Sequence, residues 1–98
     1  MKYRLIMNDI QYSTGEMDYD NSWSIYKLKR FIENILDKVA HETIGLIYHD
    51  DGIYAVCIFD EVEMFVNLKS IKVKGFVRLY WSDGKDLDKR LMDFVAEK

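Results

Sequence analysis

Apolar residues recur at three- and four-residue steps through Ile25, Leu28, Ile32, Ile35, Leu36 and Val39, and nothing else in the chain constrains its fold as strongly. That spacing sets them on one stripe of an α-helix. Phe31 widens the stripe, while Lys27, Lys29, Arg30, Glu33, Asn34, Asp37 and Lys38 fill the opposite side. Asn21 or Ser22 can cap the start by offering a side-chain oxygen to the free amides. The β-branched pair Thr43–Ile44 and then Gly45 place the end near His41. Such a helix must bury its stripe against a second apolar surface, so the rest of the chain has to supply one.

That surface reads as strands. Residues 2–12 alternate well enough for a first strand, with Tyr3, Leu5 and Met7 facing one way. Residues 13–16 then turn into a polar loop that ends at Asp20, Asn21 and Ser22. Residues 44–49 and 53–59 pair as a hairpin around Asp50, Asp51 and Gly52, where glycine supplies the positive φ of a tight turn. A three-residue turn sets Tyr48 opposite Tyr54, Leu46 opposite Val56 and Ile44 opposite Ile58, all apolar or aromatic pairs. Residues 61–66 and 71–81 form a second hairpin. There Val66 meets Ile71, Met64 meets Val73, and Glu63 meets Lys74 as an opposite-charge pair on the wet face. From about Asp86 to the end, Leu87, Leu91, Phe94 and Val95 suggest a short amphipathic helix.

The expected fold class is therefore α+β, a four- to five-stranded antiparallel sheet packed on one long helix in the order β-α-β-β-β-β-α. With the stripe from Ile25 to Val39 followed by four consecutive strands, this order resembles the cystatin-type arrangement, a bent sheet wrapped around one helix, here with an extra helix appended. The resemblance concerns the fold alone. The chain has 98 residues and no proline, repeat or glycine/serine linker, which fits one domain over residues 1–98. Its apolar runs are too short for a membrane helix of about 20 residues, or for a signal peptide. The single cysteine, Cys57, forms no internal disulfide and suits a reducing, cytoplasmic setting. A net charge of −3 argues against a general nucleic-acid coat but leaves room for a local basic stripe. Lysine outnumbers arginine and Ile, Asn, Asp and Tyr are frequent, the usage of an AT-rich genome.

No catalytic constellation emerges. Asp18, Asp20 and Ser22 alternate as the opening of a calcium loop does, yet Trp23 stands where that loop needs glycine and Lys29 where it needs glutamate. Gly52-Ile53-Tyr54 matches half of a nuclease signature whose second half, Tyr-Ile-Gly, is missing. Cys57 falls in a central-strand pattern, which predicts a buried thiol rather than a nucleophile. His41 and His49 lie on separate elements without ligand spacing. No metal or cofactor is expected.

Two surfaces carry more information. One is aromatic and acidic: Tyr12, Asp18, Tyr19, Asp20, Trp23 and Tyr26 around the first loop, with Asp50 and Asp51 adding a second acidic region. Tyrosine and tryptophan are favoured in interface cores because they bury much area at little entropic cost. Trp23 and Tyr26 can equally staple the helix to the sheet. The other is basic and aromatic: Lys69, Lys72, Lys74, Phe76, Arg78 and Tyr80 along one strand face, the residue types that contact phosphates and stack on bases. A solvated strand face accounts for the same residues. The leading expectation is a non-enzymatic protein-binding module, an inhibitor or immunity-type protein, and more narrowly a phage-type inhibitor of a bacterial defence enzyme. A nucleic-acid binder is the alternative, and a small-ligand pocket between helix and sheet the third reading.

Overall fold

The computed structural model describes residues 1–39, 58–80 and 86–98. Their order is β1 (Lys2–Met7), β2 (Ile10–Glu16), α1 (Ile25–Val39), β3 (Ile58–Val66), β4 (Ser70–Tyr80) and β5 (Asp86–Glu97). The strands form one antiparallel sheet ordered β2-β1-β5-β4-β3, and α1 packs on one face of it. The α+β class holds, with five antiparallel strands and one helix among the described residues. The resemblance to a cystatin goes no further than that general plan.

The expected order β-α-β-β-β-β-α needs correction at both ends. Residues 2–12 are not a single strand. The chain reverses at Asn8 and Asp9, whose φ angles of 49° and 65° make a left-handed two-residue turn. Asparagine and aspartate tolerate that region better than other non-glycine residues, and such turns match the twist of a hairpin. Residues 13–16, expected as a loop, belong to β2. The Asn8 amide donates to the Leu91 carbonyl at 3.0 Å, and its side-chain oxygen accepts from the Leu91 amide at 3.1 Å, so the turn is docked onto β5.

The second correction is larger. Residues 86–97 are a strand and not a helix, and that strand lies between β1 and β4. Met92, Phe94 and Ala96 are buried with a period of two, while Leu91, expected on a core stripe, is 46% exposed. Every residue of β1 pairs with β5, from Lys2 opposite Glu97 to Met7 opposite Met92. A strand with hydrogen-bonded neighbours on both sides gains two ladders, which outweighs a local sequence that also suits a helix.

The β3–β4 hairpin follows the predicted register: Val66 opposite Ile71, Met64 opposite Val73, Glu63 opposite Lys74. Asn67 holds its turn, accepting from the Lys69 and Ser70 amides at 2.8 and 2.9 Å. β3 runs unbroken through Asp60, where two strands were expected to part, and a register shift between Asp60 and Glu63 absorbs the irregularity. Of the expected 44–49/53–59 hairpin, only residues 58 and 59 are among the described residues; Cys57, His41 and His49 lie outside them.

The helix stripe is core, as its spacing requires. Leu28, Ile32, Leu36 and Val39 are buried against Leu5, Met7, Ile71, Val73, Val77, Met92 and Phe94. Each fully buried side chain of this size contributes about 1.5–3 kcal/mol relative to exposure. Ser24 is the cap in place of Asn21 or Ser22: its Oγ accepts from the Lys27 amide at 3.0 Å. Ile25, expected at the head of the same stripe, is instead 53% exposed in the first turn of the helix.

Candidate functional site

The first loop crosses from β2 to α1 and carries the aromatic and acidic surface. It is held at its root by Met1 and Met17, whose backbones exchange bonds of 2.9 and 3.0 Å. Asp20 accepts from both the amide and the hydroxyl of Ser22, closing a small turn before the helix. These two bonds, the hydroxyl first, hold the Asp20 carboxyl below its ordinary value of 3.8. Its carboxylate is thereby committed to the loop.

The aromatic residues divide into two roles. Tyr19 meets Trp23 edge-on at 5.6 Å, and Trp23 meets Phe31 edge-on at 5.5 Å. Phe31 in turn touches Tyr3 at 5.6 Å and Phe94 at 6.4 Å, and Tyr3 stacks on Phe94 at 5.6 Å. Tyr19 and Trp23 are thus the outer end of an aromatic chain that reaches the core, and Lys27 covers the Trp23 ring at 4.3 Å. Tyr12 is drawn away from the loop. It is the extra residue at the register shift of β2, and its hydroxyl accepts from the Arg90 guanidinium at 2.9 Å. Tyr26 remains free, 73% exposed, next to Ile25 at 53%. Asp18 and Asp20 are exposed beside this turn. Asp50 and Asp51 lie outside the described residues.

Tyr3 has room to stack because Gly15 stands opposite it. A Cβ at position 15 would lie 2.5 Å from the Tyr3 hydroxyl and 2.8 Å from two ring carbons. The glycine thus admits the ring that anchors the inner end of the chain.

The basic residues lie where alternation put them. Lys72, Lys74, Phe76 and Arg78 project from β4 on the side away from α1, opposite to buried Ile71, Val73 and Val77, and Lys69 is exposed in the β3–β4 turn. Tyr80 ends β4, opposite Asp86. Phe76 is half-buried under Lys89, whose Nζ is 4.2 Å from the ring centroid. Phe65, absent from the sequence-based set, is 65% exposed on the same face directly opposite Lys72. Its place was readable: the pairing of Val66 with Ile71 and Met64 with Val73 turns Phe65 outward.

No protein family, curated protein or solved structure matches this chain. Among the described residues, no helix is long and apolar enough to cross a membrane.

Proposed function

We propose that this chain is a non-enzymatic protein-binding module that presents the first turn of α1 and the acidic loop before it. The observation that carries the reading is the pair Ile25 and Tyr26, two large side chains more than half exposed in the first turn of a helix that Phe31 and the buried stripe from Leu28 onward hold against the core. A rigid platform of this kind loses little entropy when a partner covers it. Asp18 and Asp20 at its rim favour a partner with a basic surface. In its narrower form, the proposal is an inhibitor in a reducing, cytoplasmic setting, its acidic loop lying against the basic groove of a nucleic-acid-processing enzyme such as a bacterial defence enzyme. The space between helix and sheet is filled by Leu28, Ile32, Leu36 and their sheet partners, which gives the small-ligand reading no support.

The test places a photo-crosslinking residue at position 26 in the otherwise intact chain, in its host cell. One protein should be captured, and the complex should weaken about tenfold or more with Tyr26→Ala, since central interface aromatics contribute ~2 kcal/mol or more. Lys72→Ala should leave that complex unchanged. A complex with the captured protein whose affinity is indifferent to Tyr26→Ala and Ile25→Ala would remove the reading.

A further inference from the structure

We propose that the open face of the sheet holds a short single-stranded nucleic acid along the row Arg4, Val95, Lys72 and Phe65, with Phe65 as the stacking platform. The site shares no residue with the protein-binding surface on α1 and stands or falls separately.

Two rows on this face set carboxylates beside a lysine, and the row between them does not. Lys2 stands between Glu16 and Glu97. Lys74 stands between Asp93 and Glu63. The row between them reads Thr14, Arg4, Val95, Lys72, Phe65 across β2, β1, β5, β4 and β3, and contains two cations and no carboxylate. Arg4 and Lys72 are exposed, and neither makes a hydrogen bond or ion pair among the described residues.

Adjacent strands are about 4.8 Å apart, so Arg4 and Lys72 are separated by roughly 10 Å, with Phe65 about 5 Å further. Open hollows of about 550 and 650 Å³ flank the row, the first lined by Lys2, Arg4, Val95 and Lys98 together with Glu16 and Glu97, the second by Phe65, Ser70, Lys72 and Lys74. Cations that track a backbone beside an exposed ring are what a single strand requires, because its unstacked bases have free faces. A duplex keeps its bases stacked and cannot use Phe65. It would also bring its denser charge against Glu63, Asp93 and Glu97. Phe76 is already covered by Lys89, which leaves the stacking role to Phe65.

The test is fluorescence anisotropy of the whole chain with labelled oligothymidylate and oligouridylate of about twelve nucleotides, a length within the range that sheet-surface binders cover, and with a duplex of equal length. Single strands should bind in preference to duplex at low salt. Phe65→Ala should weaken binding about fivefold or more, and Phe65→Trp should retain it. Arg4→Gln and Lys72→Gln should each flatten the log–log salt dependence by about 0.7. Lys74→Gln, at a position already flanked by two carboxylates, should do less, and Tyr26→Ala nothing. No single-strand binding at low salt, equal affinity for duplex, or an unchanged Phe65→Ala variant would each overturn the proposal. Because Phe65 is exposed, its variants should fold, and an unaltered circular dichroism spectrum and melting curve verifies that.

Discussion

The two faces of the sheet are made by the same strands and obey different rules. Toward α1, β1, β4 and β5 present Leu5, Met7, Ile71, Val73, Val77, Met92 and Phe94, all buried. One residue along in each case, the chain presents Arg4, Ile6, Lys72, Lys74, Asp93 and Val95 to the open side. The covered face is close-packed, so a change of even one methylene is felt there. On the open face most substitutions fall within about 0.5 kcal/mol. The difference teaches where recognition can evolve in so small a domain: on the open face and on the outer side of α1, where side chains can vary without dismantling the core.

That contrast can be broken most severely at Ile32. Ile32→Asp places a carboxylate in the fully buried apolar cluster, at a cost of several kcal/mol against a total stability of about 5–15. The expected result is loss of the cooperative thermal transition; an unchanged midpoint would contradict the core assignment of α1. A sharper test uses neighbours on β5. Phe94→Ala should cost about 3–5 kcal/mol, and Val95→Ala, on the other face, less than about 1. Denaturant melts of the two variants measure this directly. Similar large losses at both positions would restore the helix in which 94 and 95 share a core side.

Gly15→Ala is expected to cost about 1–3 kcal/mol, because the new Cβ forces the Tyr3 ring to shift. In a Tyr3→Ala background the same substitution should cost much less, and a thermodynamic cycle reads that coupling. The smallest effect belongs to the first loop. Since the Asp20 carboxyl lies below its ordinary 3.8, its bonds to Ser22 stabilise the loop above that value and are lost as pH falls through the lower folded-state value. A carboxyl NMR titration should place the Asp20 midpoint below 3.8, and Ser22→Ala should move it back up.

The sequence disclosed α1 and the β3–β4 register because each has one strong period: Leu28, Ile32 and Leu36 at four-residue steps, Ile71 and Val73 at two. β5 has two competing periods. Leu87, Leu91, Phe94 and Val95 fit a helix, whereas Met92, Phe94 and Ala96 fit a strand, and Asp88, Lys89 and Arg90 have no marked β-preference. Only its neighbours β1 and β4, both apolar on the same side, decide between them, and those contacts are remote in sequence. The N-terminal hairpin was hidden by a turn without glycine, Asn8–Asp9. In the candidate site, composition drew attention to the first loop. It could not separate Trp23, which anchors, from Tyr26, which is free, since that depends on which ring Phe31 faces. Asp20 was readable as a turn former, and its partner Ser22 as well, but the cap passed to Ser24 because that turn occupies both.

The placement of β5 also fixes the order in which the molecule can assemble. β1 has β2 on one side and β5 on the other, and β4 has β3 and β5, so no ladder joins the β1–β2 hairpin to the β3–β4 hairpin directly. Each hairpin alone is marginal in water. Until residues 86–97 have been synthesised and inserted, the chain holds two half-sheets, and α1 has no complete surface on which to lay its stripe. Pairing Lys2 with Glu97 closes a loop spanning nearly the whole sequence. That closure places folding among the slower, non-local topologies and leaves the apolar faces of both half-sheets open to solvent, and to chaperones, while β5 is awaited.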